Sequence, residues 1–181
     1  MAIDINLYNR PKHFVFWVKI KFMRHSWVGV ISAWMFLIHQ VHAQEFTGSA
    51  LEVKQTIEYF FQGFHQRDSV AMKSVMHPDL VLQTVLSKPG QTKLVVSQTN
   101  DFLKAVATRP ITPVWEERLH QFQISVDGAM AQAWVEYSFW LDGTFSHCGV
   151  DAFALFKSDQ GWQITYLADT RRTVDCGPYE Q

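Results

Sequence analysis

The sequence predicts an α+β domain with helices packed on one face of a curved antiparallel sheet. Helical periodicity is confined to residues 49–108, and from Val114 onward the chain turns β-branched and aromatic. That second half is punctuated by Asp127-Gly128, Asp142-Gly143 and the stretch SDQG at 158–161. Asp-Gly between apolar runs is the strongest short hairpin signal. Helices followed by a run of hairpins describe an architecture with its helices segregated to one side of the sheet.

Each element has its own signal. In SALEVKQTIEYFFQGFHQRD, Leu51, Val53, Ile57, Phe60, Phe61 and Phe64 recur near the helical period. Ser49 is a candidate N-cap, with Glu52 in capping-box position. SVAMKSVMHPDL reads as a short second helix broken near Pro78, and LVLQTVLS (80–87) as a strand ended by Lys88-Pro89-Gly90. SQTNDFLKAVAT supplies a third helix, stopped by the Pro110 and Pro113 region. Four strands follow as a meander, near 114–126, 129–141, 144–157 and 162–172. No repeat or linker divides residues 44–181, which are expected to form one domain.

The 181 residues are 48% apolar and 18% charged, a globular balance. Residues 1–43 hold five Lys/Arg and one acid, whereas 44–181 hold 11 basic and 16 acidic residues and sum to −5. No basic surface for nucleic acid is expected there. Arg24 and His25 precede an uncharged run from Trp27 to Ile38, and Val41-His42-Ala43 follows. This is the pattern of a secretory signal peptide cleaved after Ala43, with Met23 an alternative start. The run falls short of the ~20 residues of a membrane span, so no span is expected after cleavage. The expected location is secreted or periplasmic.

Helix–helix–strand–helix followed by a long meander, closed by VDAFALFKSDQGWQITYLADTRR, resembles the nuclear transport factor 2-like (cystatin-like cone) superfamily. With the exported N-terminus, the chain is most similar to small secreted bacterial members labelled lumazine-binding or nuclear transport factor 2-like. The resemblance spans roughly residues 50–173. It implies a conical cavity between sheet and helices, and a homodimer formed through the sheet. The superfamily hosts isomerases, dehydratases, hydrolases and non-enzymatic binding domains, so the fold does not assign an activity.

The stretch DGTFSHCGVDAF (142–153) gathers His147, Cys148 and Asp151. Adjacent strand residues point to opposite faces, so His147 and Cys148 cannot readily share an ion, and no Cys-x-x-Cys or His-x-x-x-His spacing occurs in 44–181. No metal site and no cofactor is predicted. The two cysteines, Cys148 and Cys176, are expected to pair in an oxidising compartment.

A two-residue Asp142-Gly143 turn pairs Trp140 with Phe145, Ser138 with His147 and Trp134 with Asp151. One face then carries Trp134, Glu136, Trp140, His147, Asp151, Phe153, Tyr166 and Arg172. That face is read as the cavity wall, with Trp115 added. Asp151 and His147 are the candidate acid–base residues, and Trp115, Glu136, Trp140, Phe153, Tyr166 and Arg172 the candidate ligand pocket. A β-bulge would flip every later assignment. The opposing reading makes the Trp-rich face an interface.

Three functions follow. The adopted reading is a secreted domain binding a small apolar or aromatic molecule. The alternatives are a cofactor-independent hydratase, dehydratase or isomerase using Asp151 and His147, and a dimeric protein-interaction module.

Overall fold

A computed structural model of the protein describes residues 45–88 and 90–180. The expected signal segment, 1–43, lies outside the described residues. The elements are α1 (Gly48–Gln66), α2 (Ser69–Ser74), β1 (Met76–Lys88), β2 (Gln91–Ser97), α3 (Thr99–Thr108), β3 (Trp115–Asp127), β4 (Met130–Leu141), β5 (Thr144–Ser158) and β6 (Gly161–Arg171). A 3-10 turn, Gly177–Glu180, closes the chain. The sheet is curved and unclosed, with strand order β2-β1-β6-β5-β4-β3. The expected α+β class is observed, with helices packed on the sheet.

The helix α1 buries Val53, Ile57, Phe60, Phe61 and Phe64, the stripe read from its period. Ser49 is not its cap. The helix starts one residue earlier, and Thr47 at the cap position makes no side-chain hydrogen bond. Glu52 reaches away from the backbone instead, accepting from Lys157 Nζ at 2.5 Å and Trp162 Nε1 at 3.0 Å. It ties α1 to the β5–β6 hairpin. At the start of α2, the Asp68 carboxylate accepts from Val70 N–H and Ala71 N–H.

Three differences from the sequence reading matter. The second helix ends at Ser74, and Met76 to Asp79, expected within it, open β1. Pro78 sits where the register against β6 shifts, between Met76 and Val81, so its missing N–H falls in an interrupted part of the ladder. Residues 91–97 form an unexpected edge strand paired only with β1, and most of their side chains are exposed. The sheet is also not wholly antiparallel, since β1 runs parallel to β6.

Cys148 and Cys176 form a disulfide with Cα atoms 5.7 Å apart. A loop of this length is worth about 3–4 kcal/mol in the chain-entropy view. The bond draws the C-terminal tail onto the outer face of the sheet. There Tyr179 stacks on His120 at 3.9 Å and donates to Glu136 Oε2 at 2.8 Å. Among the described residues no helix is long and apolar enough to cross a membrane.

Candidate functional site

Sequence alternation alone assigns the faces wrongly because β5 contains one extra residue. Trp140 pairs with Phe145, but Phe139 pairs with His147, so Ser146 bulges out. Beyond it, Val135, Tyr137 and Phe139 share a face with Asp151, Gly149 and His147. On β6 that face continues through Leu167 and Asp169. On β3 it holds Trp115 and Glu117, which pair with Leu141 and Phe139.

This combined face and the helices enclose a cavity of about 640 Å³. Its walls are aromatic: Phe60, Phe61 and Phe64 from α1, Phe102 from α3, and Trp115, Tyr137 and Phe139 from the sheet. Arg109 braces this wall. Its guanidinium lies 4.8 Å from the rings of both Phe64 and Trp115, and Nη2 donates to the carbonyls of Phe64 and His65 at the end of α1.

Polar groups converge on the sheet side. Asp151 is only 2% exposed, and its Oδ2 has no hydrogen-bond partner. Its carboxyl is hydrogen-bonded to that of Glu117, a half-buried residue that also reaches a shallow surface depression beside His65. Burial pushes the Asp151 carboxyl well above its ordinary range, and the neighbouring Glu117 adds to the shift. Burial also pushes Glu117 up, to about 7, against the lowering effect of its bond to Asp151. Two carboxyls in contact cannot both ionise cheaply, so the pair shares a proton, with Asp151 holding it more firmly.

The neighbouring groups are already engaged or neutral. Asp169 accepts from Thr84 Oγ1 at 2.5 Å and from Arg171 Nε at 2.7 Å. Burial lowers the pKa of His147, and Arg171 lowers it further. The ring of His147 stacks on Phe139 at 4.9 Å, and Nδ1 lies 3.1 Å from Ser146 Oγ. Burial likewise lowers His65, whose Nε2 accepts from the Glu117 backbone N–H at 2.9 Å and therefore carries no proton. Tyr137 donates to the Thr170 carbonyl at 2.8 Å, and burial raises its pKa beyond any working pH.

The structure brings Asp151, His147 and Trp115 together on the cavity wall. Phe153 lies on the same face, packed edge-on against Phe61 in the core. Glu136, Trp140, Tyr166 and Arg172 are not in the pocket, and the extra residue Ser146 is the reason for the first two. Glu136 meets the tail through Tyr179, and Trp140 is buried under Arg118, 4.1 Å above its ring, with Nε1 donating to Ser138. Tyr166 donates to Gln83. Arg172 is exposed at the bridge to Cys148, so the cavity-lining arginine is its neighbour Arg171. Trp134, also assigned to that face, is 49% exposed.

Glu117 was missed, although Trp115 and Glu117 alternate along one strand. Having placed Trp115 on the wall, the same alternation places Glu117 beside it. Among the described residues no group of three His, Cys, Asp or Glu is arranged to hold a metal ion.

Known proteins share this architecture. A structure from Novosphingobium aromaticivorans, described as NTF2-like with a cystatin-like fold, superposes with TM-score 0.57 at 12% identity. The match covers 81% of this chain and 91% of that one. A protein with a cystatin-like fold from Nostoc punctiforme gives 0.56 at 11% identity, covering 72% and 97%. An NTF2-like protein from Shewanella baltica gives 0.51 at 13% identity, covering 67% and 91%. No curated protein matches the sequence. The sequence profile of the family described as "Putative lumazine-binding" matches residues 49–166. Helices, bulged sheet and cavity therefore belong to a member of that lumazine-binding-like family, built on the nuclear transport factor 2-like fold.

Proposed function

We propose that this chain is a small-molecule-binding domain whose ligand lies in the aromatic cavity with its polar end against Asp151. The unpartnered Asp151 Oδ2 carries the reading. A buried polar oxygen left without a partner costs on the order of 1–3 kcal/mol, and a ligand donor would remove that cost. A largely apolar cavity with a few convergent polar groups is the usual form of a ligand site. The family description points the same way. Export to an oxidising compartment completes the reading, supported by the disulfide and by the charge pattern of residues 1–43.

The proton shared by Asp151 and Glu117 favours a second reading, a cofactor-independent enzyme. A carboxyl held neutral beside one that titrates near 7 can donate and accept a proton at a bound substrate. Asp151 and Glu117, rather than Asp151 and His147, would be the acid–base couple, because burial lowers the pKa of the imidazole and its Nδ1 lies against Ser146 Oγ.

Native mass spectrometry of the protein purified from its own host tests the binding reading. We expect an added small-molecule mass on the wild type. We expect that mass to be lost in Leu167→Trp, which puts an indole into the cavity wall, and weakened at least tenfold in Asp151→Leu, which removes the acceptor oxygen. A ligand retained unchanged by both folded variants would place it elsewhere.

A further inference from the structure

We propose that the cavity selects a cationic ligand, a protonated amine carried on an aromatic or aliphatic body, with its ammonium group held between the Asp151–Glu117 pair and the surrounding rings. The inference rests on the binding reading and names its ligand class.

The charges facing the pair do not balance. Glu117 from β3, Asp151 from β5 and Asp169 from β6 converge on one cavity, and the guanidinium lining it is Arg171. Arg171 is engaged by Asp169 through Nε. The remaining titratable groups bring no positive charge. Burial keeps His147 on β5 and His65 on α1 neutral, and Tyr137 on β4 keeps its proton. Arg171 also lowers both carboxyls of the pair, but burial outweighs it and the pair keeps a proton.

The geometry of the vacancy matches an N–H donor. A protonated Asp151 carboxyl beside Glu117 still offers an acceptor oxygen, and Oδ2 is one of two buried side-chain atoms without a partner among the described residues, the other being Arg109 Nη1. The walls add a second, independent preference. Phe61, Phe64, Trp115 and Phe139 present π systems around the same space, with Arg109 already over Phe64 and Trp115 and His147 stacked on Phe139, and the ring faces left free attract desolvated cations by up to about 2 kcal/mol. An anionic ligand would meet the pair's charge and the ring faces alike as repulsion. A neutral alcohol would satisfy Asp151 Oδ2 but gain nothing from the charge.

The sign of the pH dependence follows. An ammonium binds best when Glu117 is ionised, so affinity should rise with pH and level off above about 7. A neutral acceptor such as a ketone would bind the protonated pair, and its affinity would fall over the same range.

Calorimetry of the full chain with three matched probes decides: 2-phenylethylammonium, 2-phenylethanol and 3-phenylpropionate, each at pH 5.5 and 7.5. We expect the ammonium to bind at least tenfold tighter than either other probe at pH 7.5, and to gain about tenfold between the two pH values. Glu117→Gln, confirmed folded by its melting curve, should remove both the preference and the pH dependence. Asp151→Asn, which keeps a donor to Glu117 and an acceptor to the ligand, should leave the preference in place. If the alcohol or the carboxylate binds as tightly as the ammonium, the charge inference is overturned while the binding cavity stands. If none of the three binds, the binding reading falls with it.

Discussion

Replacing Gly149 with alanine is expected to unfold the domain or lower its melting temperature by about 10–20 °C. A Cβ at position 149 would lie 1.9 Å from the Thr170 carbonyl oxygen and 2.7 Å from the Tyr137 ring. The first contact is backbone, which cannot swing aside as a side-chain end can. That carbonyl also accepts the Tyr137 hydroxyl, while the Thr170 hydroxyl accepts from Val150 N–H at 3.0 Å. Between Asp151 and Cys148 the β5–β6 ladder thus depends on side chains as well as backbone. Moving Thr170 would break buried hydrogen bonds as well as packing.

Overpacking costs about 1–3 kcal/mol and a stranded buried partner a similar amount. Together they take a large share of the ~5–15 kcal/mol that holds an ordinary domain folded. Gly149→Ala combined with Tyr137→Phe should not recover, because the carbonyl clash persists. A Gly149→Ala protein melting within about 3 °C of wild type would show that β6 does not approach β5 this closely.

Stability should fall as pH rises from 5 to 8 through the carboxyl pair. Asp151 and Glu117 hold their proton in the folded protein above the pH, about 4, at which the unfolded chain releases it. Their contribution is fully present below that value and is lost as pH climbs through about 7 for Glu117. The buried histidines act in the opposite sense. His65 and His147 have lowered values, so they cost stability as pH falls below the usual imidazole range. Glu52 and Glu116 are lowered by their hydrogen bonds, chiefly to Lys157 and Arg118, and add stability that is lost only in acid.

A comparison with Asp151→Asn/Glu117→Gln isolates the pair. In urea unfolding the double variant should gain on wild type by about 2–3 kcal/mol between pH 5 and pH 8 from Glu117 alone, and by more because Asp151 also keeps its proton. Equal pH profiles would mean that the two carboxyls ionise normally in the folded state.

The sequence made some parts of this molecule readable and hid others for physical reasons. The α1 stripe and the Asp-Gly turns were visible because helical period and positive-φ turns leave strong local marks. The Cys148–Cys176 bond was visible because only two cysteines occur and the chain places them near one another. The edge strand at 91–97 was hidden because its largely exposed side chains need no apolar alternation. The bulge at Ser146 leaves no mark in composition, yet it moved Glu136 and Trp140 off the cavity face and left His147 and Asp151 on it. The Asp151–Glu117 contact joins β5 to β3 across the intervening β4, which no single strand's pattern records.

The central claim is that Asp151 and Glu117 share a proton at the wall of the ligand cavity. Carbon-13 NMR of the two side-chain carboxyls, titrated from pH 4 to 9 with and without 2-phenylethylammonium, tests it most directly. Glu117 should titrate near 7, Asp151 should titrate well above the ordinary carboxylate range, and the probe should shift both resonances. Two carboxyls fully ionised by pH 5, or a bound probe that leaves both unmoved, would contradict the account.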